Sequence, residues 1–108
     1  MKFLLIIIAL MSSIQAQALH IRIMPLGDSI TEGKNVPGGY RVKLEKRLTE
    51  TKINFEFVGS NSDGPPALKS KSHEGHSGWR IGQLSDHIST LILSAKPDVI
   101  LLMIGTND

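Results

Sequence analysis

The sequence predicts an open, doubly wound α/β sheet, and three observations carry that prediction. Two apolar runs, 21–26 and 99–104, have the near-continuous hydrophobicity of strands covered on both faces. Between them lie two segments whose apolar residues recur at helical spacing, separated by a short strand-like segment, 53–58. The resulting order, strand, helix, strand, helix, strand, is that of a parallel sheet built from βαβ units, so only the first three strands of such a sheet are expected. Polar clusters stand at or near the carboxyl ends of strands, where ligands of these sheets bind.

The chain has 108 residues, enough for one domain at most. Its 41% hydrophobic and 20% charged residues are ordinary for a globular protein. A net charge of +2 without a basic run gives no footing for nucleic acid or for an anionic membrane surface. With no cysteine there is no disulfide framework, no thiolate metal site and no cysteine nucleophile.

Residues 1–18 read as a secretory signal peptide. Lys2 is the positive region, Phe3 to Met11 the apolar region, and Ala16-Gln17-Ala18 the small-x-small cleavage site. The apolar run is shorter than the ~20 residues a spanning helix needs. Cleavage would leave an extracellular domain over 19–108 with no membrane anchor.

The first strand carries Pro25, which donates nothing to a sheet ladder and is expected where the strand is ending. Pro37-Gly38-Gly39 breaks the chain before a helix over Tyr40 to Glu50. There Tyr40, Leu44 and Leu48 share one face; Arg41, Lys43, Glu45, Lys46 and Arg47 are expected to be solvated. In the second strand Phe55 and Phe57 point to one side, and Gly59 ends it. Ser60 to Ser72, with Gly64-Pro65-Pro66, reads as a long loop. Ile81, Leu84, Ile88, Leu91 and Ile92 mark a second helix, stopped by Pro97. The run 99–104 is then expected to be a buried central strand, ending in Gly105-Thr106-Asn107-Asp108.

Ser29 follows the first strand directly, in Gly27-Asp28-Ser29-Ile30-Thr31, and becomes a nucleophile if a base takes its proton. The motif is not the nucleophile elbow of α/β-hydrolases, because Thr31 stands where a second glycine is required. Acyl transfer also needs donors aimed at a developing oxyanion. The N–H of Ser29, the N–H of a glycine within 75–78 and the amide of Asn107 are the candidates. Taken alone, Gly75 and Gly78 read better as a flexible lead into the helix, and Asn107 as a turn residue. His73 and His76 lack the further ligands a zinc site requires. His87 reads as helix surface, and His20, beside the cleavage site, as mobile. There is no dinucleotide fingerprint and no P-loop.

Taken together, Gly27-Asp28-Ser29, Gly75-His76-Ser77-Gly78 and Gly105-Thr106-Asn107-Asp108 resemble, in order and spacing, the first three blocks of the SGNH hydrolases, the GDSL-type esterases. The surrounding wording looks most like the branch that includes carbohydrate esterase family 3, the acetyl xylan esterases. The resemblance implies a flavodoxin-like three-layer α/β/α fold and ester hydrolysis through an acyl-serine, with no metal or organic cofactor. It makes Ser29 the nucleophile and an oxyanion donor, Gly78 the second donor with Gly75 as the alternative, and Asn107 the third. Gly27 and Asp28 would support the turn. The substrate implied is a small ester or an acetylated saccharide. The family's last block, an Asp-x-x-His that supplies the base, has no match here. The chain is therefore expected to be the amino-terminal part of an esterase and inactive alone. The alternative is a non-catalytic carbohydrate-binding relative or a pseudogene product, in which Trp79 and Tyr40 offer apolar faces to a sugar.

Overall fold

The strand β1 (Ile21–Gly27) is paired along both of its edges, and everything else is arranged about it. The structure, a computed structural model, describes Leu19–Asp108; the signal peptide read over 1–18 lies outside the described residues. A four-residue helix, α1 (Ser29–Glu32), follows β1, and then comes α2 (Arg41–Glu50). Three short strands follow: β2 (Phe55–Phe57), β3 (Asn61–Ser62) and β4 (Ser72–Gly75). The chain ends with α3 (Ile81–Ala95) and β5 (Val99–Met103). β2, β4 and β5 all run parallel to β1, while β3 is antiparallel to β4.

One edge of β1 is shared. β2 pairs with Ile21 to Ile23, β4 with Leu26 and Gly27, and β5 takes the opposite edge from Ile23 to Gly27. This explains Pro25, which sits inside the strand and not at its end. The carbonyls of Ile23 and Gly27 accept from Val58 N and His76 N, so alternate residues 23, 25 and 27 face the shared edge. The nitrogen of Pro25 therefore faces the gap where β2 has left and β4 has not begun. No ladder bond is lost there.

Alternation along β1 builds two cores, one on each face. Met24 and Leu26 pack with Val58, Leu84 and Ala95, with Ile88 and Leu91 against them, which is the α3 layer. Ile23 packs with Phe57 and Leu68, bordered by Val42, Leu44 and Leu48 of α2. The expected α/β/α layering is thus present, with α2 and α3 on opposite faces. Arg22 ties strand to helix by donating to the carbonyls of Ala95 and Lys96, a favourable place for a cation at the α3 carboxyl end.

Four further expectations need correction. The segment read as a loop holds β3 and the start of β4, so five strands are present and the sheet is mixed. The α2 charges are not all solvated: Arg41 is 0% exposed and Glu45 9%. The Glu45 carboxylate accepts from Lys69 N (2.8 Å) and Ser70 N (2.7 Å), which ties the loop before β4 to the helix. β5 is apolar as expected but not buried: Val99, Ile100, Leu102 and Met103 are all exposed. His20 is held beside β1, its ring against Asn54 and Glu56. Among the described residues no helix is long and apolar enough to cross a membrane.

Candidate active site

The site starts where β1 ends. Gly27 is required there: a Cβ would lie 2.0 Å from the Met103 carbonyl oxygen on β5 and 2.7 Å from Thr31 Oγ1. Asp28 is the N-cap of α1, its Oδ1 accepting from Ile30 N at 3.0 Å, while its buried Oδ2 has no partner among the described residues. Ser29 opens α1, half-buried, with its N–H and Oγ unengaged among the described residues. Its carbonyl accepts from Gly33 N and Lys34 N, closing the helix after one turn. Gly33, at φ +81°, then turns the chain in a left-handed conformation. The loop that follows walls a cavity of about 350 Å3 beside Ser29, lined by Ile30, Lys34, Asn35, Val36 and Tyr40.

Behind α1 lies a buried polar hub. The Arg41 guanidinium donates from Nε to Thr31 O, from one terminal nitrogen to Asp63 O and Lys71 O, and from the other to Glu32 O and Asp63 Oδ1. All five donors are used, so burial leaves none of them unpaired. His73, also fully buried, accepts from Gly75 N at Nδ1 (3.0 Å), which places its proton on Nε2, donating to Asp63 Oδ1 (2.9 Å). Burial, with the Arg41 charge second, pushes the His73 pKa below the ordinary histidine value, and Asp63 opposes this. Burial likewise raises the Tyr40 pKa; its hydroxyl lies 3.1 Å from Thr31 Oγ1.

The second cluster leaves β4 beside this turn. Gly27 pairs with Gly75, and His76 N donates to Gly27 O at 2.9 Å. Gly75 is no flexible lead. A Cβ there would lie 2.4 Å from Glu32 N, so α1 packs directly on it, and its N–H is taken by His73. Gly78 is the opposite case: exposed, at φ +80°, with open space where a Cβ would stand. Trp79 N donates to His76 O across residues 76–79. With Ser77 at negative φ and Gly78 at the third position, this is a type II turn. The N–H of Gly78 lies outside the turn's own hydrogen bond and has no partner among the described residues. Ser77 Oγ donates to Glu32 Oε2, tying the turn back to α1.

The third cluster is docked on the second. Asn107 Nδ2 donates to Trp79 O (2.9 Å), Arg80 Nε to Asn107 O, and Ile81 N to the Asp108 carboxylate. One N–H of the Asn107 amide remains available. Hydrogen bonds thus join all three clusters around the end of β1, Ser29 on the first, Gly78 on the second and Asn107 on the third.

Several residues of this arrangement carry no sequence signal as site residues. Glu74, 1% exposed, accepts from Ser60 N, Ser60 Oγ and His76 Nε2. The Trp79 ring is stacked on His76 and tilted against His87, so it is a packing residue. Arg41 could have been suspected only from its spacing, since 41, 45 and 48 also recur at a helical period. Among the described residues no three His, Asp or Glu side chains are grouped to hold a metal ion.

Residues 23–108 match the model of the GDSL-like lipase/acylhydrolase family. A multidomain esterase of Ruminococcus flavefaciens is 38% identical over 82% of this chain, which spans 14% of that protein. Among solved structures, a family 3 carbohydrate esterase of Clostridium thermocellum is 46% identical with a TM-score of 0.81, covering 83% of this chain and 46% of its own. A carbohydrate esterase family 3 structure from Talaromyces cellulolyticus is 33% identical with a TM-score of 0.71, covering 82% of this chain and 44% of its own. The chain therefore spans less than half the length of these relatives. With the family match running from inside β1 through all three clusters, the chain belongs to the GDSL-like lipase/acylhydrolase family.

Proposed function

We propose that this chain carries the nucleophile and the oxyanion donors of a secreted serine esterase that removes acetyl groups from polysaccharide. One observation carries the reading. Hydrogen bonds join the three clusters around the end of β1, and yet the N–H groups of Ser29 and Gly78 and one amide N–H of Asn107 stay unengaged among the described residues. Buried or anchored donors left open beside a serine suit a charge that appears only during reaction. The acetyl and saccharide specificity is supported by similarity to the family 3 carbohydrate esterases and to an acetyl esterase that is 32% identical.

The Ser29 oxygen attacks the ester carbonyl while its proton passes to a base. The carbonyl electrons move to oxygen, where the three donors hold the charge. Collapse expels the alcohol, which takes the proton from the base, and water then releases acetate from the acyl-serine by the same route. His73 has both ring nitrogens engaged, so it is not the base, and none of the described histidines stands in an Asp-x-x-His. An Asp-x-x-His beyond these residues would supply it, which leaves residues 19–108 inactive alone.

The test measures acetate release from acetylated xylan and from 4-nitrophenyl acetate. The full-length gene product and its Ser29→Ala variant are compared with residues 19–108 alone. Activity is expected only in the unsubstituted full-length protein. Ser29-independent hydrolysis would overturn the nucleophile, faster release of long acyl chains the acetyl specificity, and activity of 19–108 the separate base.

A further inference from the structure

Resting on that reading, we propose that His76 is a positioning residue for the oxyanion donors, acting as a clamp across the turn that presents them. His76 and Trp79 are the first and last residues of the type II turn, and their rings are stacked at 3.8 Å and 13°. The stack closes the same four-residue span as the Trp79 N to His76 O hydrogen bond, so the turn is fastened twice. Gly78 lies inside it, at a φ that other residues rarely adopt, with no neighbour within 4 Å of the place a Cβ would occupy. No side chain packs on Gly78; its orientation comes from the turn's two ends and from the Ser77 hydroxyl held by Glu32.

Those ends are anchored to buried groups. His76 Nε2 is 2.6 Å from Glu74 Oε2, and Glu74 is itself held by the N–H and hydroxyl of Ser60. The His76 backbone N–H donates to Gly27 O, two residues from Ser29. At the other end the Trp79 carbonyl receives the Asn107 amide. A backbone shift at Trp79, which the ring stack resists, would therefore move two donors together, the Gly78 N–H through the turn and the Asn107 amide through its hydrogen bond. A positioned donor acts only on the transition state, so loosening it lowers kcat and leaves ground-state binding nearly intact.

The test uses the full-length gene product, with His76→Ala, His76→Leu and His76→Phe. His76→Ala and His76→Leu are expected to lower kcat at least tenfold with KM changed less than threefold. Affinity for an alkyl trifluoromethyl ketone, which forms a tetrahedral adduct on serine, should weaken in parallel, while inhibition by acetate is unchanged. His76→Phe restores a planar ring on Trp79 and is expected to recover kcat to within about threefold. Equal losses in Phe and Leu variants would show a general structural role, and a wild-type kcat in His76→Ala would show none. Either result overturns the clamp alone. A wild-type product without Ser29-dependent hydrolysis overturns the functional reading first and this role with it.

Discussion

Behind α1 and in front of it, the same short stretch of chain treats its hydrogen bonds in opposite ways. Behind, Arg41 has every donor paired, His73 both nitrogens, and the Gly75 N–H an acceptor. In front, only three residues further on, Gly78 is exposed with its N–H open among the described residues, and Ser29 is likewise unengaged. The two regions meet on one helical turn of four residues. The difference separates two tasks. The rear holds α1 on the sheet and is saturated; in the proposed mechanism the front receives a charge, and it is left open. Substitutions behind α1 should therefore act on stability, and those in front on rate.

The largest effect is expected at Arg41. Arg41→Met keeps much of the side-chain volume but leaves four carbonyls and the Asp63 carboxylate without their donor. Leaving a buried acceptor without its donor costs about 1–3 kcal/mol, and several are left here, whereas the half-exposed Asp63 carboxylate turns to water. Urea unfolding of the full-length protein measures this, and a loss below 1 kcal/mol would mean that the hub holds nothing. Asn107→Ala tests the other side. It should lower kcat by about 10²–10³-fold, as loss of one oxyanion donor does. Its one hydrogen bond, to Trp79 O, limits the stability loss to about 1 kcal/mol. A large loss of stability at Asn107 would blur the division.

The two glycines sharpen it further. At Gly75 an added methyl meets the Glu32 backbone, which cannot step aside without moving α1. Gly75→Ala should cost about 2–3 kcal/mol, the scale of overpacking. At Gly78 there is room, and the penalty is the left-handed φ alone, about 1 kcal/mol. The N–H survives in Gly78→Ala, so activity should fall only a few-fold. Equal costs at the two positions would show that Gly75 is not a packing contact.

Periodicity and breakers made β1, α2 and α3 legible, because each buries a face that its apolar residues announce, and the apolar run of β5 marked it as a strand. The pairing of β4 was not. Its sequence is Ser-His-Glu-Gly, and its burial rests on polar side chains matched by Asp63, Ser60 and backbone groups that lie elsewhere in the chain. Arg41 and Glu45 misled for the same reason: their partners are loop carbonyls and amides, which carry no side-chain signature. β5 reads as buried from composition, yet the described residues pair only one of its edges. The site divides similarly. Ser29 and Asn107 were candidates from their residues and Gly78 was singled out by the family resemblance, whereas the Glu74, His76 and Trp79 scaffold appears only once β4 lies beside β1.

The smallest effect expected is also the most direct probe of the saturated side. Burial and Arg41 hold the folded His73 pKa below the ordinary value. Unfolded, His73 takes up a proton near pH 6.5. As pH falls through that value the unfolded state binds a proton that the folded state refuses, so stability declines and levels off only below the lowered folded pKa. The geometry gives the cost a location. A proton on Nδ1 would face the Gly75 N–H, donor against donor, and would place a second cation beside Arg41. The thermal midpoint of the full-length protein should drop between pH 7 and 5, and His73→Gln should flatten part of that slope. An unchanged slope in His73→Gln would place the pH sensitivity elsewhere and remove His73 from the hub's account.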